Sequence, residues 1–547
     1  MAEYLAEANV ILHNGKIITV DKEFTIAEAV CIRDGKFQVV GSGEKVMAYT
    51  GPNTKTLDLN GKVVIPGIID SHNHMLMTGL QKQMVSLENA TSVADVLDII
   101  RDACKAKEPG EWVITRRAGF ASSQLKENRI PTRWELDRVC PNNPVFLVKG
   151  AHFGVLNSYA LRLANITKDT PQPVGGVIMK DPGTGEPTGA LGDHALDPIR
   201  SLLPKPTHAD KVRALKLVTK DYNELGITSV IDTHLTLKGV KAYQEIWAKK
   251  EMTVRTKIWV TLPMEGITLG PKAISRQAGL GDSGDNMLRI DGLKEFLDGG
   301  IETGFLRDPY LTIPGEQRDP SYCGVLMMAE REFSKLCSIA ARNCWRLGIH
   351  VTGDRAIDIL LDTWEKVNRK MPIRDKHWVI LHAILVKPEH LERIKRLGVY
   401  VASQHAHTYS NGDRMVEWWG RERAEHSNPI KEYFNSGITV GGGSDCPSCE
   451  WRPSILFWFD LTRAAKRVGV LGPELVLTRE ESLRYHTIKA AQISDDEDKL
   501  GSIEPGKLAD LVVLSDDILT CPVDKIRQIQ VQMTMVDGNI VYDHLLT

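Results

Sequence analysis

Residues 64–75 read VIPGIIDSHNHM. An apolar run meets Pro66 and Gly67, resumes at Ile68 and Ile69, and stops at Asp70-Ser71-His72-Asn73-His74. Alternate residues of a strand share a face. If the strand persists to residue 74, Asp70, His72 and His74 point the same way. Two imidazoles at the carboxyl end of a strand are either surface residues or a ready pair of metal ligands, and the apolar run supplies a buried strand to hold them.

Beyond this stretch the chain alternates strand and helix. Further strands are predicted at 226–234 (GITSVIDTH), 254–262, 288–298 (LRIDGLKEFLD), 347–354 (LGIHVTGD), 377–383 (HWVILHA), 398–405 (GVYVASQH) and 437–445 (GITVGGGSD). With VVIPGIID at 63–70 these make eight. Residues 327–348 carry the i, i+3, i+4 apolar spacing of a helix packed on a sheet. The segments 209–226, 390–398 and 428–437 end in glycine, a common helix stop. Eight strands with intervening helices predict a parallel sheet closed as a (β/α)₈ barrel. Residues 76–208 are too long for one crossover and predict an inserted subdomain after the first barrel strand.

The two ends of the chain read differently. Residues 8–64 alternate apolar and polar residues, with turn pairs Asn14-Gly15, Asp34-Gly35 and Asn60-Gly61. KLADLVVLSDD and IQVQMTMVDGNIVYD near the C-terminus share that pattern. Chain termini often lie close together, so residues 1–62 and 500–547 are expected to form one composite β-sandwich, leaving 63–499 to the barrel. The expected fold is thus α/β: a distorted TIM barrel, a β-sandwich from both termini and an inserted subdomain.

Composition narrows the function. The 547 residues are 42% hydrophobic and 25% charged, with a formal net charge of −2, as in an ordinary soluble globular protein. No long basic block argues for nucleic acid or an anionic membrane. The opening MAEYLAEANVILHNGK lacks a basic segment followed by an apolar core, and no apolar run approaches the ~20 residues that span a bilayer. The nine cysteines are sparse, and Cys446-Pro-Ser-Cys449 has no second CxxC, so free thiols in a reducing cytoplasm are expected. The expected partner is a small-molecule substrate, with neither nucleic acid nor membrane, and the expected assembly is a homo-oligomer, a dimer.

Metal-competent residues recur at the ends of later predicted strands: Lys294 in GLKEFLD, His350 ending GIH, His382 in VILHA and Asp445 ending GGGSD. Histidine and carboxylate together suit zinc and comparable first-row metals.

In PGIIDSHNH, HFGVLNSYAL, GEPTGAL, IHVTGDRAID, GSDCP and GSIEPGKLADLVVL the chain resembles the amidohydrolase superfamily, and within it the YtcJ-like branch that includes N-substituted formamide deformylases. The resemblance implies that His72 and His74 bind a more buried metal and that His350 and His382 hold a second. It implies that Lys294, carboxylated by CO₂, bridges the two, and that Asp445 touches the first metal and serves as acid and base. A free ammonium beside two dications is repelled and offers no acceptor, whereas a carbamate is anionic with two oxygens. The alternative is a single metal with Lys294 unmodified or paired with Glu295 or Asp298. Zinc is the expected ion, as one or two per chain, with manganese, cobalt or iron as substitutes.

The implied activity is hydrolysis of a C–N bond in an amide, N-substituted formamide or cyclic amide by metal-activated hydroxide. Ester, lactone or carbamate hydrolysis is the alternative on the same scaffold. A non-catalytic scaffold relative is the alternative of another class, against which the six filled positions weigh. His152 would reach the substrate carbonyl or else satisfy a turn. His405 and His407 form a second HxH, expected to contact substrate or lie on a surface loop rather than bind metal. Trp418, with Trp419, would wall an apolar pocket or pack a loop onto the barrel. The branch favours Glu, Trp and Asp where this chain has Leu381, Cys446 and Gly150. Cys446 therefore opens space beside Asp445 for a differently shaped substrate. Asp354 and Arg355 are expected to clasp a loop rather than to catalyse.

Overall fold

The stretch at 63–73 is two strands. Val63–Pro66 pairs with Lys16–Ile18 and Leu511–Leu514, and Ile68–Asn73 starts the barrel. The single strand expected over 63–70 is corrected at Gly67. There a Cβ would stand 2.1 Å from Thr228 Oγ1, so only glycine lets the chain cross from one sheet to the other. This is seen in a computed structural model that describes residues 6–116, 125–127, 129–149, 153–173, 176–261, 272–273, 276, 279–280, 284–312 and 321–544.

The barrel strands are β1 (Ile68–Asn73), β2 (Ile227–Leu235), β3 (Arg255–Val260), β4 (Leu288–Phe296), β5 (Arg346–Val351), β6 (Val379–His382), β7 (Tyr400–Ser403) and β8 (Val440–Gly442). They lie in sequence order in one sheet, each parallel to the next. Between β8 and β1 the described residues form no ladder, so the cylinder is nearly closed. All eight strands fall within the segments that alternation and glycine stops marked out, to within a few residues.

The helices follow from their apolar spacing. Glu330–Arg342 buries Phe333, Leu336, Cys337, Ala340 and Ala341, the i, i+3, i+4 stripe. Pro388–Leu397 and Ile430–Ser436 stop at Gly398 and Gly437, whose φ of +68° and +71° form left-handed caps. Trp259 on β3 occupies room that two glycines leave: a Cβ on Gly292 of β4 or Gly348 of β5 would come within 2.6 or 2.4 Å of its indole.

The terminal strands form a six-stranded sheet, drawn from both ends of the chain, and a four-stranded sheet. Leu12, Ile17, Val30, Phe37, Leu511, Val513, Met533 and Met535 share one core between them. Burying each such side chain contributes about 1.5–3 kcal/mol.

The chain divides into two compact units, Met1–Met75 with Thr219–Thr547, and Leu76–Val218. The second has its own five-stranded sheet and its own cores, one around Val96, Ile100, Leu136, Val145 and Leu147 and the other around Phe146, Leu161 and Ile199. In this unit the expectation of free thiols fails for Cys104 and Cys140. Their sulfurs are joined, with Cα atoms 6.0 Å apart, because helix Val93–Lys105 and the end of helix Arg133–Val139 bring them together. Among the described residues no helix is long and apolar enough to cross a membrane.

Candidate metal centre

The site is built where β1 and β8 end side by side. After Gly442 the chain runs through Gly443 and Ser444 to Asp445, short of the strand expected to reach residue 445. A Cβ on Gly443 would lie 2.7 Å from the His72 backbone nitrogen, so glycine permits the close approach. Asp445 N–H donates to the His72 carbonyl at 2.9 Å. Asp445, His382 and Ala383 have φ of +55°, +71° and +47°, the left-handed region that non-glycine residues enter at about 1–3 kcal/mol each. Such strain is sustained where surrounding structure over-determines it, typically at functional sites.

Five imidazoles gather at Asp445, three of them against its oxygens. His72 Nε2 and His74 Nε2 lie 3.3 and 3.1 Å from its Oδ1, and His407 Nε2 lies 3.1 Å from its Oδ2. The His382 ring is 4.7 Å from that of His72, and the His350 ring 4.3 Å from that of His382. Donor atoms of His72, His382 and Asp445 already sit within 4.8 Å of one another.

The remaining hydrogen bonds orient these rings. His74 Nδ1 is 3.1 Å from the Thr233 carbonyl, so it carries the proton and leaves the Nε2 lone pair toward Asp445. His350 Nε2 is 3.0 Å from the Gly299 carbonyl, which leaves Nδ1 as its donor atom. Neither ring nitrogen of His72, nor Nδ1 of His382, has a well-formed hydrogen bond among the described residues, although both residues are buried. Buried imidazole nitrogens without partners, converging on a carboxylate, fit a metal ion.

Charges follow the same geometry. Burial would push Asp445 up, but the imidazoles of His407, His72 and His74 against its oxygens outweigh it and hold the carboxyl well below its usual range. Burial, helped by Lys294, lowers His72 to about 3, so its ring is neutral, the ligating form. Lys294 is buried beside the Phe296 ring, 4.4 Å from its centroid. Burial lowers its ammonium to about 8, against the pull of Asp445 and Glu295. Asp298 is not its partner: that carboxylate takes the backbone N–H groups of Phe305, Thr352 and Gly353, each at 2.9 Å.

The other candidate residues fall elsewhere. His152 lies outside the described residues. His405 is turned away from Asp445 and buried against Asp460 and Tyr485, at odds with a substrate-facing role. Trp418 and Trp419 end helix Ala406–Trp419 instead of lying in a loop, and pack with Leu306, Tyr310 and Leu385. Cys446 is fully buried, its carbonyl accepting the His74 backbone N–H at 3.0 Å. Asp354 clasps a loop by accepting the Arg307 backbone N–H at 2.9 Å. His407 is the addition to the expected set. Its signal was the second HxH, expected to contact substrate or lie on a surface loop.

The comparisons agree with this geometry. A model of the amidohydrolase family (Amidohydro_3) matches residues 55–542. The chain is 31% identical over 548 residues to an N-substituted formamide deformylase of Arthrobacter pascens, covering 98% of each chain. It is 28% identical to the putative amidohydrolase YtcJ of Bacillus subtilis, over 97% of this chain and 99% of that one. Among solved structures, an uncharacterized metal-dependent hydrolase of Pyrococcus horikoshii matches with a TM-score of 0.74 and 25% identity, over 94% of this chain and 99% of its own. A buried histidine–aspartate cluster at the mouth of an eight-stranded parallel barrel, with these relatives, makes this chain a metal-dependent hydrolase that belongs to the amidohydrolase family.

Proposed function

We propose that the chain hydrolyses the C–N bond of an amide, an N-substituted formamide or a cyclic amide. In this reading His72, His74, His350, His382, Asp445 and Lys294 hold one or two divalent ions of the zinc class. The observation that carries it is the Asp445 carboxylate, with one oxygen facing His72 and His74 and the other facing His407. The bound cation supplies a water of lowered pKa and a polarised substrate carbonyl.

Asp445 accepts a proton from the attacking water and returns it to the leaving nitrogen, base and then acid. An amine needs that proton because an amide anion leaves poorly. His407 holds the outer oxygen of Asp445, which keeps the inner one aimed at the cluster. Lys294 supports carbamate formation: burial increases the share of neutral amine, the form that adds CO₂ with loss of a proton. The deformylase relative favours a C–N substrate through its own named activity.

The test is turnover of N-acyl amines, formamides, cyclic amides, lactones, esters and carbamates with added Zn²⁺, Mn²⁺ or Co²⁺, and with a chelator as control. C–N cleavage abolished by the chelator is expected. Turnover confined to esters or lactones overturns the proposal.

A further inference from the structure

Away from the centre just described, His405, Asp460 and His486 form a second buried group, with donor atoms within 4.8 Å of one another. Their exposures are 1%, 3% and 4%. His405 precedes helix Ala406–Trp419, Asp460 lies on helix Pro453–Thr462, and His486 caps helix Arg479–Tyr485. His405 Nε2 is 3.3 Å from Asp460 Oδ1, and His486 Nε2 is 3.1 Å from Oδ2.

A count of protons makes the group unusual. The Tyr485 hydroxyl donates its only proton to the Ser403 carbonyl at 2.6 Å. Its 3.2 Å contact with His405 Nδ1 must therefore be donated by His405. A neutral ring then has a bare lone pair at Nε2, and that lone pair faces a carboxylate oxygen. No hydrogen-bond partner reaches Nε2 among the described residues. Arg463, the fixed cation of this region, spends its guanidinium on the carbonyls of Leu471, Asn428, Glu425 and Ser427. Two acceptors facing each other in a dry interior call for a positive charge between them.

We propose that His405, Asp460 and His486 form a second, structural cation site, separate from the catalytic centre and taking a divalent ion of the zinc class. Two imidazoles and a carboxylate are donors of that class. Donors about 2.0–2.1 Å from a tetrahedral ion stand roughly 3.3 Å apart, close to the 3.3 Å between His405 Nε2 and Asp460 Oδ1. Ser482 Oγ donates to Asp460 Oδ2 at 2.6 Å and Tyr485 fixes His405, the outer hydrogen bonds that orient metal ligands. Without the ion, His486 Nε2–H donates to Asp460 Oδ2; on binding, that proton passes to Nδ1 of the same ring, and the freed Nε2 lone pair turns to the ion. The ion ties the end of β7 to two later helices. It thereby steadies the backbone from which His407, two residues on, reaches Asp445.

The test is anomalous diffraction at the zinc edge from crystals of the full chain loaded with zinc. A peak within bonding reach of His405, Asp460 and His486, distinct from any at His72 and His382, is expected. No peak there while the catalytic centre is occupied overturns the proposal, and the missing charge is then a second proton on His405. Asp460→Asn provides an independent reading: metal content by mass spectrometry falls by about one equivalent against wild type, and the rise of melting temperature with zinc becomes smaller, keeping only the share owed to the catalytic centre. An unchanged metal count also overturns it. If Asp460→Asn does not fold, the anomalous map of the wild-type protein decides alone.

Discussion

The backbone N–H of Asp445 donates to the carbonyl of His72 over 2.9 Å, so the two ends of the barrel sheet meet at the residues that carry the chemistry. Asp70 braces the same seam from below. Its carboxylate accepts from Ser444 N at 2.9 Å, Ser444 Oγ at 2.6 Å and Asn73 Nδ2 at 2.7 Å. Asp70 is thus a structural clamp, although strand alternation places it in line with His72.

Asp70→Ala strips that clamp and leaves buried donors unpaired, at about 1–3 kcal/mol each. The expected result is a loss of about 3 kcal/mol or more in urea unfolding, with metal affinity falling alongside because His72 and Asp445 lose their register. Unchanged stability would show that the seam is held without Asp70.

Removing imidazoles acts on the centre without opening the fold. His72→Asn with His74→Asn takes away two donors, and activity is expected to vanish together with at least one bound ion. Far-ultraviolet circular dichroism should stay that of the native protein, since the barrel is held by its strand ladders. Full metal content in this variant would sink the assigned ligand set.

How much of this was readable beforehand depends on where each histidine sits relative to a strand end. His72 and His74 straddle the end of β1 at Asn73, so period-two alternation still applied and both reach Asp445. The pair His405 and His407 has the same spacing, but β7 stops at Ser403 and a helix begins at Ala406. Two residues along a helix turn by about 200°, so His405 points to Asp460 and His407 to Asp445. Local pattern marks where strands stop only to within a few residues, and here two residues exchange the roles of the pair. The split at Gly67 was equally hidden, because both halves of VVIPGIID are apolar and their separation depends on Thr228, far along the chain.

His407→Gln tests the outer contact to Asp445. Burial opposes charge on His407, but Cys449 and Asp445 raise its pKa well above the ordinary value, so it bears a proton for Asp445 Oδ2. Losing that charged donor should lower kcat by about 10²–10³, with KM changed little and metal content intact. Equal losses in metal content and activity would assign His407 to binding the ion.

Acid stability depends on a carboxylate away from the centre. Asp496 is 3% exposed and pairs with Lys257 and with Arg289, whose Nη1 is 3.1 Å from its Oδ1. Burial alone would raise its pKa, but Lys257 and Arg289 more than reverse this and hold it at about 2, below the ordinary range of an aspartate. A carboxyl depressed on folding stabilises the native state fully above its unfolded pKa and loses that contribution as pH falls toward its folded one. The window is therefore about pH 4 down to about pH 2, and the contribution is on the order of 2 kcal/mol. Asp496→Asn also leaves the buried Lys257 ammonium without its carboxylate at neutral pH, while Arg289 keeps Asp291, so the total deficit there is expected to be about 3–5 kcal/mol. Urea unfolding of both proteins from about pH 7 to about pH 3 should show the gap narrowing once the pH drops below about 4. A gap constant throughout that range would mean that the charge on Asp496 contributes nothing.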